Sequence, residues 1–274
     1  MKLFSNAKIN FGLHLLKKRR DGFHTIETLV APVSLVDTLE IEPSRDLQIS
    51  SSGFRITGKM EENLCIKAFY LLKKHHRIPN VKMQLLKNIP PGSGLGGGSS
   101  NAVAVLKALD QLFQLNLSKN DFQNYAGSLG SDCTFFIENK TAFVQGRGEI
   151  VQSFPLPLHD LELLIIWPGF SISTSAAFAE MTDLPVHKSL KKLLSLPMKD
   201  WQEQIKNDFE NVVFKKYPEL QQIQELLLSH GAIYSSLSGS GSAVYAFFKE
   251  GTVPAIPWPE SYFVRQERVV EQVF

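Results

Sequence analysis

Apolar and polar positions change period several times along the 274 residues, and each change marks an element. Residues 3–16 alternate in part, with Ile9, Phe11, Leu13 and Leu15 in step, which predicts a strand. Arg20-Asp21-Gly22 is a turn signal, and 25–30 predicts the return strand. Shorter strands are expected at 38–41, 47–51 and 82–86. Between them Leu64, Ala68, Leu71 and Leu72 recur at helical spacing over 63–74. The clearest helix follows a glycine run: Ala102, Val105, Leu106, Leu109, Leu112 and Phe113 keep the i, i+3, i+4, i+7 rule. Ser99 or Ser100 can cap its first turn. Another helix is expected after Ser118, with Asp121 as its capping-box partner.

Strands at 141–145 and 150–154 lead into Leu156-Pro157-Leu158-His159, where a domain boundary is expected, dividing the chain into 1–156 and 157–274. The second part opens on an apolar strand at 161–167 and becomes helical through 222–228. It closes on strands at 232–237 and 243–248. Pro254, Pro257 and Pro259 mark a loop before a last edge strand. Strands and helices mix without strict alternation, so the fold class is α+β.

Composition narrows the picture modestly. Hydrophobic residues make up 43% and charged residues 20%, which describes an ordinary globular protein. A net charge of +2 is too mild for a nucleic-acid partner, and the run 17–20 of lysines and arginines rims a turn. Cys65 and Cys133 stand far apart without metal-ligand spacing, as expected of reduced thiols. No apolar run approaches the roughly 20 residues that span a bilayer. A cytoplasmic protein with no membrane partner is expected.

The chemistry centres on Pro90-Pro91-Gly92-Ser93-Gly94-Leu95-Gly96-Gly97-Gly98-Ser99-Ser100, where five of 18 glycines fall in seven residues. Glycine is costly to order, so the cluster implies a close approach. Converging N–H groups and a helix N-terminus suit phosphate. Gly92-x-Gly94-x-x-Gly97 formally matches the dinucleotide fingerprint, but two prolines interrupt the approach and the preceding strand is rich in polar residues. No lysine follows the glycines as a Walker A loop requires, and the protein-kinase motifs are absent.

The same run resembles the central motif of the GHMP superfamily of small-molecule kinases. Two further motifs stand in the expected order: Ala7-Lys8-Ile9-Asn10-Phe11-Gly12-Leu13, and Leu237-Ser238-Gly239-Ser240-Gly241-Ser242. Three more features are similar to the branch of that superfamily acting on a cytidylyl-methylerythritol in the non-mevalonate route to isoprenoid precursors. They are Arg20-Asp21-Gly22-Phe23-His24, Gly130-Ser131-Asp132-Cys133-Thr134-Phe135-Phe136 and Asn207-Asp208-Phe209-Glu210. The resemblance implies a ribosomal protein S5 domain 2-like first domain, a ferredoxin-like second domain and a cleft between them. It also implies transfer of the γ-phosphate of ATP, with Mg²⁺, to the substrate's 2-hydroxyl, by a monomer or homodimer. Homoserine or mevalonate kinase is the alternative within the superfamily; a non-catalytic nucleotide sensor is the alternative outside enzymes. This chain departs from the branch's pattern at Phe23, where tyrosine is usual, and at Ser131, Cys133 and Thr134.

By the resemblance, Asp132 is the base and Lys8 its cationic partner; read locally, Asp132 is equally a capping residue and Lys8 a snorkelling side chain. Pro90, Gly92, Gly94, Leu95, Gly96, Gly97, Gly98, Ser99 and Ser100 would hold ATP, with Asn63 and Leu64 beside the adenine; Asn63 also reads as a plain N-cap. Ser99 and Ser100 could bond phosphate as well as cap the helix, and Ser100 is the candidate Mg²⁺ contact. Phe23 would stack on cytosine and His24 bond its edge, although both also read as core packing. Asn10, Thr174, Gly239 and Ser240 would complete the substrate wall.

Overall fold

The computed structural model describes residues 1–270 apart from 57, 157, 159, 182 and 183, so Pro157 and His159 of the expected boundary lie outside the described residues. Six strands, β1 (Lys2–Lys18), β2 (His24–Ser44), β3 (Gln48–Gly53), β4 (Asn80–Lys87), β5 (Ala142–Gly146) and β6 (Ile150–Ser153), form one sheet. Four more, β7 (Leu161–Trp167), β8 (Tyr234–Leu237), β9 (Val244–Lys249) and β10 (Phe263–Arg268), form a second in the order β10-β7-β9-β8. That order is the ferredoxin-like one, and all its pairs are antiparallel. No helix forms between β9 and β10, where three prolines withhold backbone donors.

The expected strands at 25–30 and 38–41 are parts of one strand. The 21 residues of β2 pair with β1 along nearly their whole length, with β5 through Ile26–Val30 and with β4 through Thr38–Ser44. Pro32 concealed this continuity. It lies at an irregularity where Asn6 pairs with Val36 but Lys8 pairs with Pro32, so the ladder does not need its missing N–H.

Helices α1 (Leu64–His75), α2 (Gly97–Phe113) and α3 (Lys119–Leu129) cover the first sheet, followed by the short α4 (Phe135–Glu138). The second half carries α5 (Thr174–Ala179), α6 (Leu190–Leu193), α7 (Trp201–Gln204), α8 (Glu210–Lys216) and α9 (Pro218–Ser229). Ser118 and Asp121 form the expected capping box at α3. The start of α2 differs from expectation. It begins at Gly97, after Gly96 in the left-handed region, so Ser99 and Ser100 lie inside the first turn and cap nothing. The glycine run itself supplies the cap conformation that a serine side chain would otherwise stabilise.

Strand β1 belongs to both halves. Its odd positions Ala7, Ile9 and Phe11 are buried in a core shared with the second sheet, where Phe11 meets Trp201, Tyr234 and Phe247 edge-on at 4.6–5.7 Å. The strand period of two then sends Lys8 and Asn10 to the opposite face. That face lines a cavity of about 770 Å³.

Candidate active site

The glycine loop is fastened to the second half before it meets any ligand. Ser238 Oγ donates to the Gly94 carbonyl (2.9 Å), Ala243 N to the Ser93 carbonyl (2.9 Å), and Ser171 Oγ to the Pro91 carbonyl (2.8 Å). Lys8 N donates to the Leu95 carbonyl (2.9 Å), joining the loop to β1. A side chain at Gly94 is impossible without movement, because its Cβ would lie 1.9 Å from the Ser238 carbonyl oxygen. Beneath the loop, the fully buried Asp37 of β2 accepts from Asn88 N (2.7 Å), Ile89 N (2.8 Å), Asn101 Nδ2 (3.0 Å) and the Lys87 ammonium. Lys87 also donates to Asn101 Oδ1 (2.9 Å) of α2. This paired, hydrogen-bonded charge fixes where the loop leaves β4 and where α2 begins. The first intrahelical bond of α2 runs from Ser100 N to the Gly96 carbonyl. The N–H groups of Gly97, Gly98 and Ser99 therefore lack helical partners at the positive end of a 17-residue helix.

Across the cavity, the Lys8 ammonium is buried, donates to Asn10 Oδ1 and lies 3.5 Å from Asp132 Oδ2. Asn10 is held by its own donation to Thr28 Oγ1 (3.2 Å), and Thr28 donates to the Gly12 carbonyl (2.5 Å). The Asp132 carboxylate is 54% exposed, so it faces the cavity while its partner is buried. Asp132 sits in a single 3-10 turn, Ser131–Cys133, after Gly130. The unusual Thr134 secures that turn: its hydroxyl lies 2.9 Å from the Ser131 carbonyl and 3.0 Å from that of Gly148. The neighbouring Cys133 thiol is pushed up to about 11 by burial, and Cys65 to about 12, so neither is a nucleophile.

At the mouth, Phe23 is 52% exposed and the Arg147 guanidinium lies 5.1 Å over its ring. His24 is buried and stacks on Phe178 at 5.1 Å, and Phe178 meets Phe209 edge-on at 4.8 Å. Burial, then the Lys18 charge, holds the His24 pKa below its usual value, which favours a neutral ring. Thr174 and Ser240 hydroxyls are 3.0 Å apart on the wall formed by the second half.

The cavity gathers Lys8, Asn10, Phe23, His24, Leu64, Pro90, Gly92, Gly94, Gly96, Gly97, Gly98, Ser99, Asp132, Thr174, Gly239 and Ser240. Three expected residues are not in its lining. Leu95 is fully buried in the core, Ser100 is buried behind the wall, and Asn63 caps α1 by accepting from Cys65 N. Phe178, Arg147 and Lys18 were missed by sequence reasoning although they line the cavity. Arg147 carried a signal, a basic residue between two glycines of a hairpin; Phe178 lies in a six-residue helix, too short for periodicity.

Two fused sheets, a glycine loop leading into a helix and an ammonium–carboxylate pair across one cavity define a small-molecule kinase of the GHMP class. The GHMP kinases N terminal domain family matches residues 63–140, and the GHMP kinases C terminal family matches 186–256. A 4-diphosphocytidyl-2-C-methyl-D-erythritol kinase of Bacteroides thetaiotaomicron is 42% identical over 271 residues, covering 97% of this chain and 99% of that one. The kinase of the same name from Azobacteroides pseudotrichonymphae is 43% identical over 90% of this chain and 93% of its own. A crystal structure of 4-(cytidine 5'-diphospho)-2C-methyl-D-erythritol kinase superposes with a TM-score of 0.78 at 28% identity, covering 98% of this chain and 99% of that one. The chain belongs to the 4-diphosphocytidyl-2-C-methyl-D-erythritol kinase family. The L. major mevalonate kinase in complex with R-mevalonate shares the fold alone, with a TM-score of 0.69 at 20% identity over 100% of this chain and 97% of that one. Among the described residues, no helix is long and apolar enough to cross a membrane.

Proposed function

We propose that this chain performs the reaction its family is named for, moving the γ-phosphate of ATP to the 2-hydroxyl of 4-diphosphocytidyl-2-C-methyl-D-erythritol. The observation that carries the reading is the exposed Asp132 carboxylate 3.5 Å from the buried Lys8 ammonium, opposite the unpartnered N–H groups of α2. Asp132 orients the acceptor hydroxyl and takes its proton as the bond to phosphorus forms. Lys8 lies beside that carboxylate and faces the charge that spreads over the transferred group's oxygens. Asn10 fixes the ammonium on its far side. The α2 N-terminus and the glycine backbone bind the phosphates, with Leu64 beside the nucleotide base.

Asp132 and Ser99 line one cavity and are the oxygen-bearing residues that would hold Mg²⁺ carried in on the nucleotide. When bound, the cation neutralises phosphate charge. Ser99 suits this contact better than the buried Ser100. On the acceptor side, the half-exposed Phe23 offers a ring face to cytosine, and the neutral His24, steadied by Phe178, offers a hydrogen bond to its edge. Thr174, Gly239 and Ser240 enclose the acceptor from the second half, with the two domains taken as 1–156 and 157–274. The site requires both halves, and the chemistry suits a cytoplasmic enzyme acting on a small molecule. The test offers 4-diphosphocytidyl-2-C-methyl-D-erythritol, mevalonate and homoserine separately with ATP and follows ADP. Stimulation by the first alone is expected; stimulation only by either of the others refutes the reading.

A further inference from the structure

The motif Asn207-Asp208-Phe209-Glu210 has no assigned part in the reaction, yet Phe209 lines the cavity and Asn207 bonds the turn that does. Asn207 is buried and uses its whole carboxamide. Its Nδ2 donates to the carbonyls of Leu237 (3.0 Å) and Gly239 (2.8 Å), and its Oδ1 accepts from Phe209 N (3.1 Å). The same segment is zipped to β1 just beyond Asn10. Leu13 N donates to the Lys206 carbonyl and Asp208 N to the Leu13 carbonyl, each at 2.9 Å, and Leu15 N donates to Asp208 Oδ2 at 2.7 Å. Glu210 accepts from Leu237 N (3.0 Å) and from Ser236 Oγ (2.7 Å), fixing the end of β8.

The turn so gripped closes over Lys8 and Asn10. Gly239 is in the left-handed region, and a Cβ on it would lie 3.4 Å from Asn10 Oδ1 and 3.5 Å from Lys8 Nζ. Ser238, beside it, donates to the glycine loop at Gly94. Asn207 thus ties the Gly239 turn to the segment paired with the strand that carries Lys8.

We infer that Asn207 is a positioning residue for phosphoryl transfer, holding the Gly239 turn against Lys8 and Asn10 through its two donated hydrogen bonds. This rests on the kinase reading above. Removing the donors frees two buried carbonyls, and the turn moves away to find water or new partners. A shift near 1 Å in a site aligned for transfer costs about 10²-fold in rate. Asn207 touches neither ligand, so the loss falls chiefly on kcat, with a smaller rise in the KM for the acceptor that Gly239 and Ser240 enclose and none in that for ATP.

The experiment measures kcat, both KM values and the melting temperature for wild type, Asn207→Ala and Leu220→Ala. Leu220 is fully buried in α9, and its truncation weakens the same core while leaving every hydrogen bond of Asn207 in place. Expected is a kcat lowered about 10²-fold in Asn207→Ala, with the KM for ATP within about threefold of wild type and that for the acceptor raised by less than about tenfold. Leu220→Ala, at a comparable fall in melting temperature, keeps its kcat. Should Asn207→Ala not fold, Asn207→Ser carries the test. Its hydroxyl can still accept from Phe209 N but is too short to hold Gly239. A kcat within threefold of wild type, or an equal loss in Leu220→Ala, overturns the inference. A wild-type enzyme with no turnover on the cytidylyl acceptor overturns the kinase reading and this inference with it.

Discussion

Gly98→Ala separates the ligand's demands from the fold's. Gly98 is the second residue of α2, has no positive φ, and its added Cβ would meet only Leu64 Cδ1, at an ordinary 3.7 Å. In the protein alone the change is favourable. Glycine in a helix costs roughly 0.5–1 kcal/mol relative to alanine, which corresponds to a melting temperature higher by about 1–3 °C in a chain of this size. The new methyl group, however, projects where Gly98 and Leu64 line the cavity. If nucleotide phosphates pack on the backbone there, they must withdraw, and one weakened charged hydrogen bond of about 1.5–3 kcal/mol raises the KM for ATP by about 10–100-fold. The assay pairs thermal unfolding with initial rates across ATP concentration at saturating acceptor. A more stable enzyme with an unchanged KM for ATP refutes phosphate binding at the start of α2. Gly94→Ala, four residues earlier, is expected to fail in the other direction. Its φ of +82° and the 1.9 Å approach to the Ser238 carbonyl force the loop off the second half, lowering both melting temperature and kcat.

Lys8→Ala and Asp132→Ala are each expected to lower kcat by about 10²–10⁴-fold while circular dichroism stays native; near-normal rates in either reject the pairing. Phe23→Ala removes an exposed ring, so the KM for the cytidylyl acceptor should rise about tenfold, within the roughly 1–3 kcal/mol of base stacking, while that for ATP changes little. Equal effects on both KM values exclude stacking on cytosine. Acid stability should report on His14. Burial first, then the neighbouring His187 charge, lowers its pKa from 6.5 to about 4, against an opposing pull from Asp208. The imidazole stacks on His187 at 3.8 Å and lies 3.6 Å from Glu27, and His187 in turn lies 2.8 Å from Asp208. A depressed folded-state pKa means that only the unfolded chain takes up this proton between pH 6.5 and about 4. Stability therefore falls with pH across that window by up to about 3 kcal/mol. Urea midpoints from pH 7 to 4.5 should fall less steeply in His14→Gln; identical slopes exclude the assignment.

What the sequence made legible was whatever depends on local period. Strand β1, the Arg20–Gly22 turn, α1, α2 and the capped α3 follow from spacing alone, as does the glycine turn between β8 and β9. The continuity of β2 was hidden because Pro32 breaks strand patterning, and only the irregular pairing with β1 at Asn6 and Lys8 makes it tolerable. The buried Asp37–Lys87–Asn101 group was hidden for a similar reason: charged residues at strand positions read as solvent-facing, and their burial requires partners 50 and 14 residues from Lys87. Phe178 and Arg147 entered the cavity through tertiary packing, which no window of sequence contains.

The glycine run was read as the mark of an anion drawn close to bare backbone, and the contacts divide that reading. Gly92 is required by Ser171, Gly94 by the Ser238 carbonyl, Gly96 by the Lys8 and Phe136 side chains, and Gly97 by Ile89 and Lys87, all at 1.9–3.2 Å. Four of the five glycines therefore answer to the protein itself, since a Cβ at any of them would collide before a ligand arrived. They are the seam along which the first sheet, through β1 and β4, is joined to the second half. Only Gly98 has room for a side chain in the protein and faces the cavity. A run that joins the halves and leaves one bare position at the helix start ties binding to assembly. The N–H groups reach their ligand-ready geometry only when Ser171, Ser238 and Lys8 are already seated. Changes at Ser171 or Ser238, far from α2 in sequence, should then raise the KM for ATP through the loop even though they lie outside the helix.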